Sequence, residues 1–255
     1  LKRVWRLPEH YAEPTADAAH ELGYLPPRPD AESVCWLPVA VRHLVARARA
    51  DGRGTQKWPL DTLFPATLTG RIDSSSIDEG TAAALYGLVR MLGPRVVLET
   101  GTHTGRGTRE LARGLRDNAE WDVLPHSYTL QLEQGHCYTV DLHDYGLRTS
   151  GALLPGTDGY TTQIIGRTPG ILSQPPLDTL TGIDFAFLDG DHTAEGLEAE
   201  LIYLEHHRAA ECWIAVDNSR DHGWPGVSRV LNDWAKKYPR VSFGSCTGLD
   251  VLWMR

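Results

Sequence analysis

The spacing of hydrophobic positions changes along the chain and divides it in two. From Ser76 onward, helical stripes alternate with short apolar runs. Leu85, Leu88, Val89 and Leu92 recur at helical spacing behind a Ser76-Ile-Asp-Glu79 capping-box pattern, and Gly93-Pro94 ends that helix. Val96–Glu99 is then an apolar run entering a glycine-rich turn, and helical spacing resumes from Arg106 to Arg116 through Leu111 and Leu115. Further strands are predicted at Tyr138–Leu142, Thr161–Ile165, Ile183–Leu188, Cys212–Val216, Val241–Ser245 and Asp250–Met254. Helices are predicted at Ala194–His207 and Val227–Tyr238. Such alternation implies parallel strands joined by right-handed crossovers. The expected fold is an open, mostly parallel α/β sheet with helices on both faces. The last two strands, separated by Cys246-Thr-Gly248, form an antiparallel hairpin.

Residues 1–70 have a different texture. Eight prolines, from Pro8 to Pro65, keep any helix short, and the best candidate runs from Pro38 to about Ala50. The expected organisation is an N-terminal helical extension over 1–70, serving as a lid or an oligomerisation arm, and one domain over 71–255. Self-association into a homo-oligomer is expected.

Composition narrows the classes. The 255 residues are 41% hydrophobic, a globular balance. The formal charge is −8, and residues 61–255 alone carry −10, which disfavours nucleic acid as a partner. No apolar run approaches the ~18 residues of a membrane span, and the first residues lack the apolar core of a signal peptide. The four cysteines, Cys35, Cys137, Cys212 and Cys246, form no C-x-x-C pair. Buried free thiols and a cytoplasmic location are expected.

In an open α/β sheet, ligands sit beyond the carboxyl ends of the strands. The residues there are polar: Glu99, Asp141, Gly166, Asp189 and Asp217 each stand at the C-terminal tip of a strand candidate. The first loop, Glu99-Thr-Gly101-Thr102-His-Thr-Gly105-Arg-Gly107, lets backbone and helix N-terminus approach a ligand. It matches two families, short-chain dehydrogenases and class I S-adenosylmethionine (SAM)-dependent methyltransferases. The dehydrogenases need a Tyr-x-x-x-Lys pair, which this chain lacks. The loop therefore resembles the methyltransferase E-x-G-x-x-x-G motif. That resemblance implies a Rossmann-like fold and SAM as cofactor. Glu99 and Asp141 would anchor it, with Asp144 as the alternative to Asp141. Gly101, Thr102 and Gly105 would approach it closely, and Gly166 would flank the adenine.

Two further strings carry chemistry: Leu188-Asp189-Gly-Asp-His192 and Val216-Asp217-Asn218. If their strands are neighbours, Asp189, Asp217 and Asn218 present three hard oxygen donors, a set suited to Mg²⁺. The 28-residue separation of the two acids, with Asn218 directly after the second, resembles the metal triad of catechol and caffeoyl-CoA O-methyltransferases. In those families Asp189 also borders the cofactor, and a lysine stands three residues beyond it. His192 stands there here. The Asp-Gly-Asp-His string is similar to bacterial small-molecule O-methyltransferases, including enzymes acting on antibiotic sugars. The resemblance runs from about Ser76 to Arg255 and implies Mg²⁺-dependent methylation of a small hydroxylated molecule, a natural-product sugar or phenol. His192 would be general base, since imidazole accepts protons near neutrality. Asp221, His222 and Trp224 would reach over the substrate. The alternatives are a metal-independent N- or carboxyl-methyltransferase on the same fold, and a SAM-fold protein that resembles cephalosporin hydroxylases or is non-catalytic.

Overall fold

The computed structural model describes residues 77–120, 134–147, 153, 155–243 and 247–255. The expectations placed on residues 1–70, on Ser76 and on Cys246 lie outside them.

Helix α1 (Glu79–Leu92) is capped by Asp78, whose carboxylate accepts the Thr81 N–H. Asp is among the preferred N-cap residues. Gly93, at φ +58°, closes the helix by donating its N–H to the Val89 carbonyl. Strand β1 (Val96–Thr100), helix α2 (Arg106–Glu120) and strands β2 (His136–Asp141) and β3 (Thr161–Ile165) follow. Then come β4 (Ile183–Leu188), α3 (Ala194–His207), β5 (Arg208–Val216), α4 (Pro225–Trp234), β6 (Arg240–Phe243) and β7 (Leu249–Met254).

Several boundaries differ from the sequence expectation. Strand β5 begins at Arg208 rather than Cys212, because its polar start pairs with Ile183 across an irregular register. Helix α4 starts at Pro225, where the missing N–H carries no penalty. It passes into single turns after Trp234, with Tyr238 still bonded to the Trp234 carbonyl.

Among the described residues the sheet has seven strands in the order β3-β2-β1-β4-β5-β7-β6. All neighbours are parallel except β5–β7 and β6–β7, so the last strand of the chain lies inside the sheet. One face packs Leu85 and Val89 of α1 and Leu111 and Leu115 of α2 on Val97, Phe185 and Phe187. The other packs Leu197, Leu201 and Leu204 of α3 and Leu231 of α4 on Ala186, Leu188, Ile214 and Leu252. Cys137 and Cys212 are buried free thiols. Among the described residues no helix is long and apolar enough to cross a membrane.

Candidate active site

Strand register brings the chemistry to one level. Thr100 pairs with both Val140 and Leu188, and Leu188 pairs with Val216. Asp141, Asp189 and Asp217 therefore stand at one level, the last two on adjacent strands and Asp141 across β1 from Asp189. Gly101, at φ +86°, lies so close to the Asp189 turn that an added Cβ would stand 2.1 Å from the Asp189 carbonyl oxygen. Only glycine lets the β1 loop and the β4 loop meet.

Glu99 sits beneath this loop rather than in the crevice. It is fully buried, Thr108 donates to its Oε2 at 2.5 Å, and an added Cβ at Gly107 would press on its Oε1. Burial pushes its carboxyl up to about 7. From this position Glu99 ties the loop to the start of α2 through Thr108. Thr102 is likewise buried, its hydroxyl 2.5 Å from that of Thr139. Gly105, at φ +84°, closes the turn by donating to the Thr102 carbonyl.

Asp141 is held outward. Its Oδ2 accepts the His103 N–H at 2.7 Å and its Oδ1 the His143 N–H at 3.1 Å. Leu142, Tyr145 and Ile165, all about half exposed, make an apolar shelf around it at the tips of β2 and β3. A carboxylate beside an apolar shelf suits a diol joined to a flat ring. Asp144 instead accepts from Gly146, two residues on. Gly166 bonds to the Asp141 carbonyl, and a side chain there would collide with Ile171, so it serves packing.

Asp189 and Asp217 emerge from adjacent strands, and both hold their protons above the ordinary carboxylate range. Burial is the main cause for each; for Asp189 the repulsion of Asp217 comes next. Asp217 rises to about 6. Neither is ion-paired to a Lys or Arg among the described residues. Asp217 Oδ1 accepts from the hydroxyls of Thr81 at 3.5 Å and Thr247 at 3.3 Å, two residues without any sequence signal. Asn218 takes the left-handed conformation at φ +57°, and its amide donates to Asp221 Oδ2. Glu200 of α3 lies near Thr100, Thr168 and Asp191, is 1% exposed and is pushed up to about 8 by burial.

His192 Nε2 stands 3.8 Å from Asp189 Oδ1. Burial lowers its pKa, against the opposing pull of Asp191 and Asp221. Its ring lies 5.1 Å from that of Trp224, and both line a cavity of about 510 Å³ with Thr193, Glu195, Pro225 and Arg229. His222 is exposed and does not line this cavity. Asp221 shapes the loop through the Gly223 N–H. A second cavity, about 410 Å³ between Leu172 and the Tyr203 side of α3, holds none of these residues.

Among the described residues no three His, Cys, Asp or Glu side chains gather as a metal site. A cation here would need the Asn218 amide oxygen as third donor to the two acids. The donor set fits Mg²⁺, being all oxygen, and a divalent charge would relieve the repulsion between the acids.

Residues 98–219, just under half of the chain, match the family described as a methyltransferase domain. No curated protein matches the sequence. Among solved structures, the O-methyltransferase from Bacillus cereus in complex with SAH aligns with a TM-score of 0.55 at 16% identity, covering 82% of this chain and 96% of that one. The O-methyltransferase TomG from Streptomyces achromogenes, involved in tomaymycin synthesis and bound to SAM, gives 0.51 at 18%, covering 78% and 96%. A methyltransferase from Geobacter sulfurreducens gives 0.53 at 15%, covering 95% and 97%. The shared feature is the fold. Residues 98–219 are similar to a methyltransferase domain, and the described part of the chain has the Rossmann-like fold of these solved methyltransferases.

Proposed function

We propose that the domain transfers a methyl group from SAM to a hydroxyl of a small molecule, a sugar or phenol, with Mg²⁺ held by Asp189, Asp217 and Asn218. The observation that carries this reading is the pair of carboxylates at adjacent strand tips, Asp217 buried and Asp189 partly exposed, with His192 3.8 Å from Asp189 at the edge of a cavity. The O-methyltransferases sharing the fold support the same reaction class.

When bound, SAM supplies a methyl carbon whose bond to sulfur breaks as the acceptor oxygen attacks, and Mg²⁺ supplies positive charge that acidifies that hydroxyl. The residues of the chain do the rest. Asp141 and the apolar shelf of Leu142 and Ile165 receive the nucleoside. Trp224 offers a flat wall against which an acceptor ring is oriented, converting a bimolecular encounter into an aligned one. His192 is neutral because burial lowers its pKa, so its ring can accept the acceptor's proton. Asp191 and Asp221 then stabilise the imidazolium that forms.

The test is methyl transfer from SAM to a panel of sugars and phenols, with and without EDTA, beside calorimetry with SAM. Binding of SAM and EDTA-sensitive turnover are expected. Absence of SAM binding would sink the methyltransferase reading, and undiminished turnover in EDTA would remove the metal from it.

A further inference from the structure

The Asp217 side chain is gripped from two sides by elements outside the matched residues 98–219. Thr81 lies in the first turn of α1 and is fully buried. Its N–H is taken by the Asp78 cap, and its hydroxyl points across to Asp217 Oδ1, 136 residues away in sequence. Thr247 comes from the turn before β7 and reaches the same oxygen at 3.3 Å.

That turn does more than supply a hydroxyl. The Thr247 carbonyl accepts the Arg220 N–H at 2.9 Å, and the Gly248 carbonyl accepts the Ser219 N–H at 3.1 Å. The Ser219 hydroxyl donates to Asp250 Oδ1 at 3.0 Å, and Arg240 Nε stands 3.5 Å from Asp250 Oδ2. Gly248 allows this closeness: at φ +84°, its added Cβ would lie 2.7 Å from Ser219 Oγ. The backbone that follows Asp217 and Asn218 is thereby pinned to the β6–β7 turn.

An ionised carboxylate only accepts hydrogen bonds, so both threonines act as donors to it. The Asn218 backbone N–H also bonds to this carboxylate, and among the described residues these two hydroxyls are its side-chain donors. We propose that Thr81 and Thr247 are positioning residues for Asp217: their hydroxyls, one from α1 and one from the turn before β7, hold Oδ1 and fix the orientation in which the carboxylate meets the cation. The proposal rests on the Mg²⁺ reading of this site. A carboxylate free to rotate about its Cβ bond would lose affinity through the entropy of fixing it, and partners that orient a ligand are worth ~10-fold or more in metal binding.

The experiment uses the full chain and reads Mg²⁺ and SAM affinities separately by calorimetry. Thr81→Val and Thr247→Val keep the shape and remove the hydroxyl. Each is expected to weaken Mg²⁺ about 10-fold while SAM affinity is unchanged, and Thr81→Ser and Thr247→Ser are expected to restore it. Should Thr81→Val fail to fold, the Thr247 pair decides. Wild-type Mg²⁺ affinity in the valine variants overturns the proposal, as does a parallel loss of SAM affinity or a loss that serine does not restore. A wild-type chain that binds SAM but no Mg²⁺ overturns the metal reading itself, and this proposal with it.

Discussion

Asp189 Oδ1 and His192 Nε2 stand 3.8 Å apart, spanned by the Gly190-Asp191 step of one turn. A base so placed has carboxylates behind it and the cavity in front. Its pKa lies below the ordinary 6.5 because burial outweighs the attraction of Asp191 and Asp221. Methyl transfer should therefore fall away only at a pH below 6.5, as the ring becomes protonated. His192→Ala should lower kcat by ~100-fold or more and leave SAM affinity unchanged. Turnover near that of the wild type would exclude His192 as the base.

Gly101→Ala tests the meeting of the two loops. Its Cβ would stand 2.1 Å from the Asp189 carbonyl oxygen, at a φ of +86° that alanine resists. The variant should lose more than about 1 kcal/mol in urea denaturation and bind SAM poorly. Unchanged values in both measurements would mean that the loop gives way easily.

Mg²⁺ should stabilise the folded chain as any ligand of the native state does, by about 2.7 kcal/mol at a hundredfold its Kd. Asp189→Asn and Asp217→Asn should abolish both this thermal shift and the sensitivity of turnover to EDTA. A shift that survives in both variants would place the cation elsewhere.

Glu200 makes stability depend on pH. Its carboxyl is raised by burial from 4.5 to about 8, so the folded chain keeps a proton that the unfolded chain sheds. Stability should fall as pH rises from about 4.5 to about 8, and the loss is complete above that range. Glu99, raised to about 7, acts in the same direction. Glu200→Gln should flatten the profile, with its advantage over the wild type growing between pH 5 and 8. Parallel profiles for the two proteins would show that Glu200 does not titrate there.

The strand tips were legible in the sequence because a strand buried on both faces reads as an unbroken apolar run. Phe185-Ala-Phe-Leu188 and Ile214-Ala-Val216 end abruptly in Asp189 and Asp217, and β4 and β5 are indeed neighbours. What stayed hidden is what distance in sequence conceals. Thr81 and Thr247 are ordinary threonines until α1 and the β6–β7 turn fold against β5. The burial of Glu99 was equally invisible, since an acid after a strand can turn outward, as Asp141 does, or inward beneath its own loop. Polar strand starts such as Arg208-Ala-Ala-Glu211 carry no period-2 signal, so the early start of β5 came from its pairing with Ile183.

The placement of β7 between β5 and β6 has a consequence for incomplete chains. A polypeptide stopped before Thr247 would leave β5 as a bare edge, with its backbone groups open to any passing strand. The same strand leads into Asp217, which would then lack the Thr247 contact, as its turn would lack that of Gly248. Truncation would thus yield a species at once catalytically incomplete and prone to aggregate, so its abundance in a cell would be set by quality control rather than by folding.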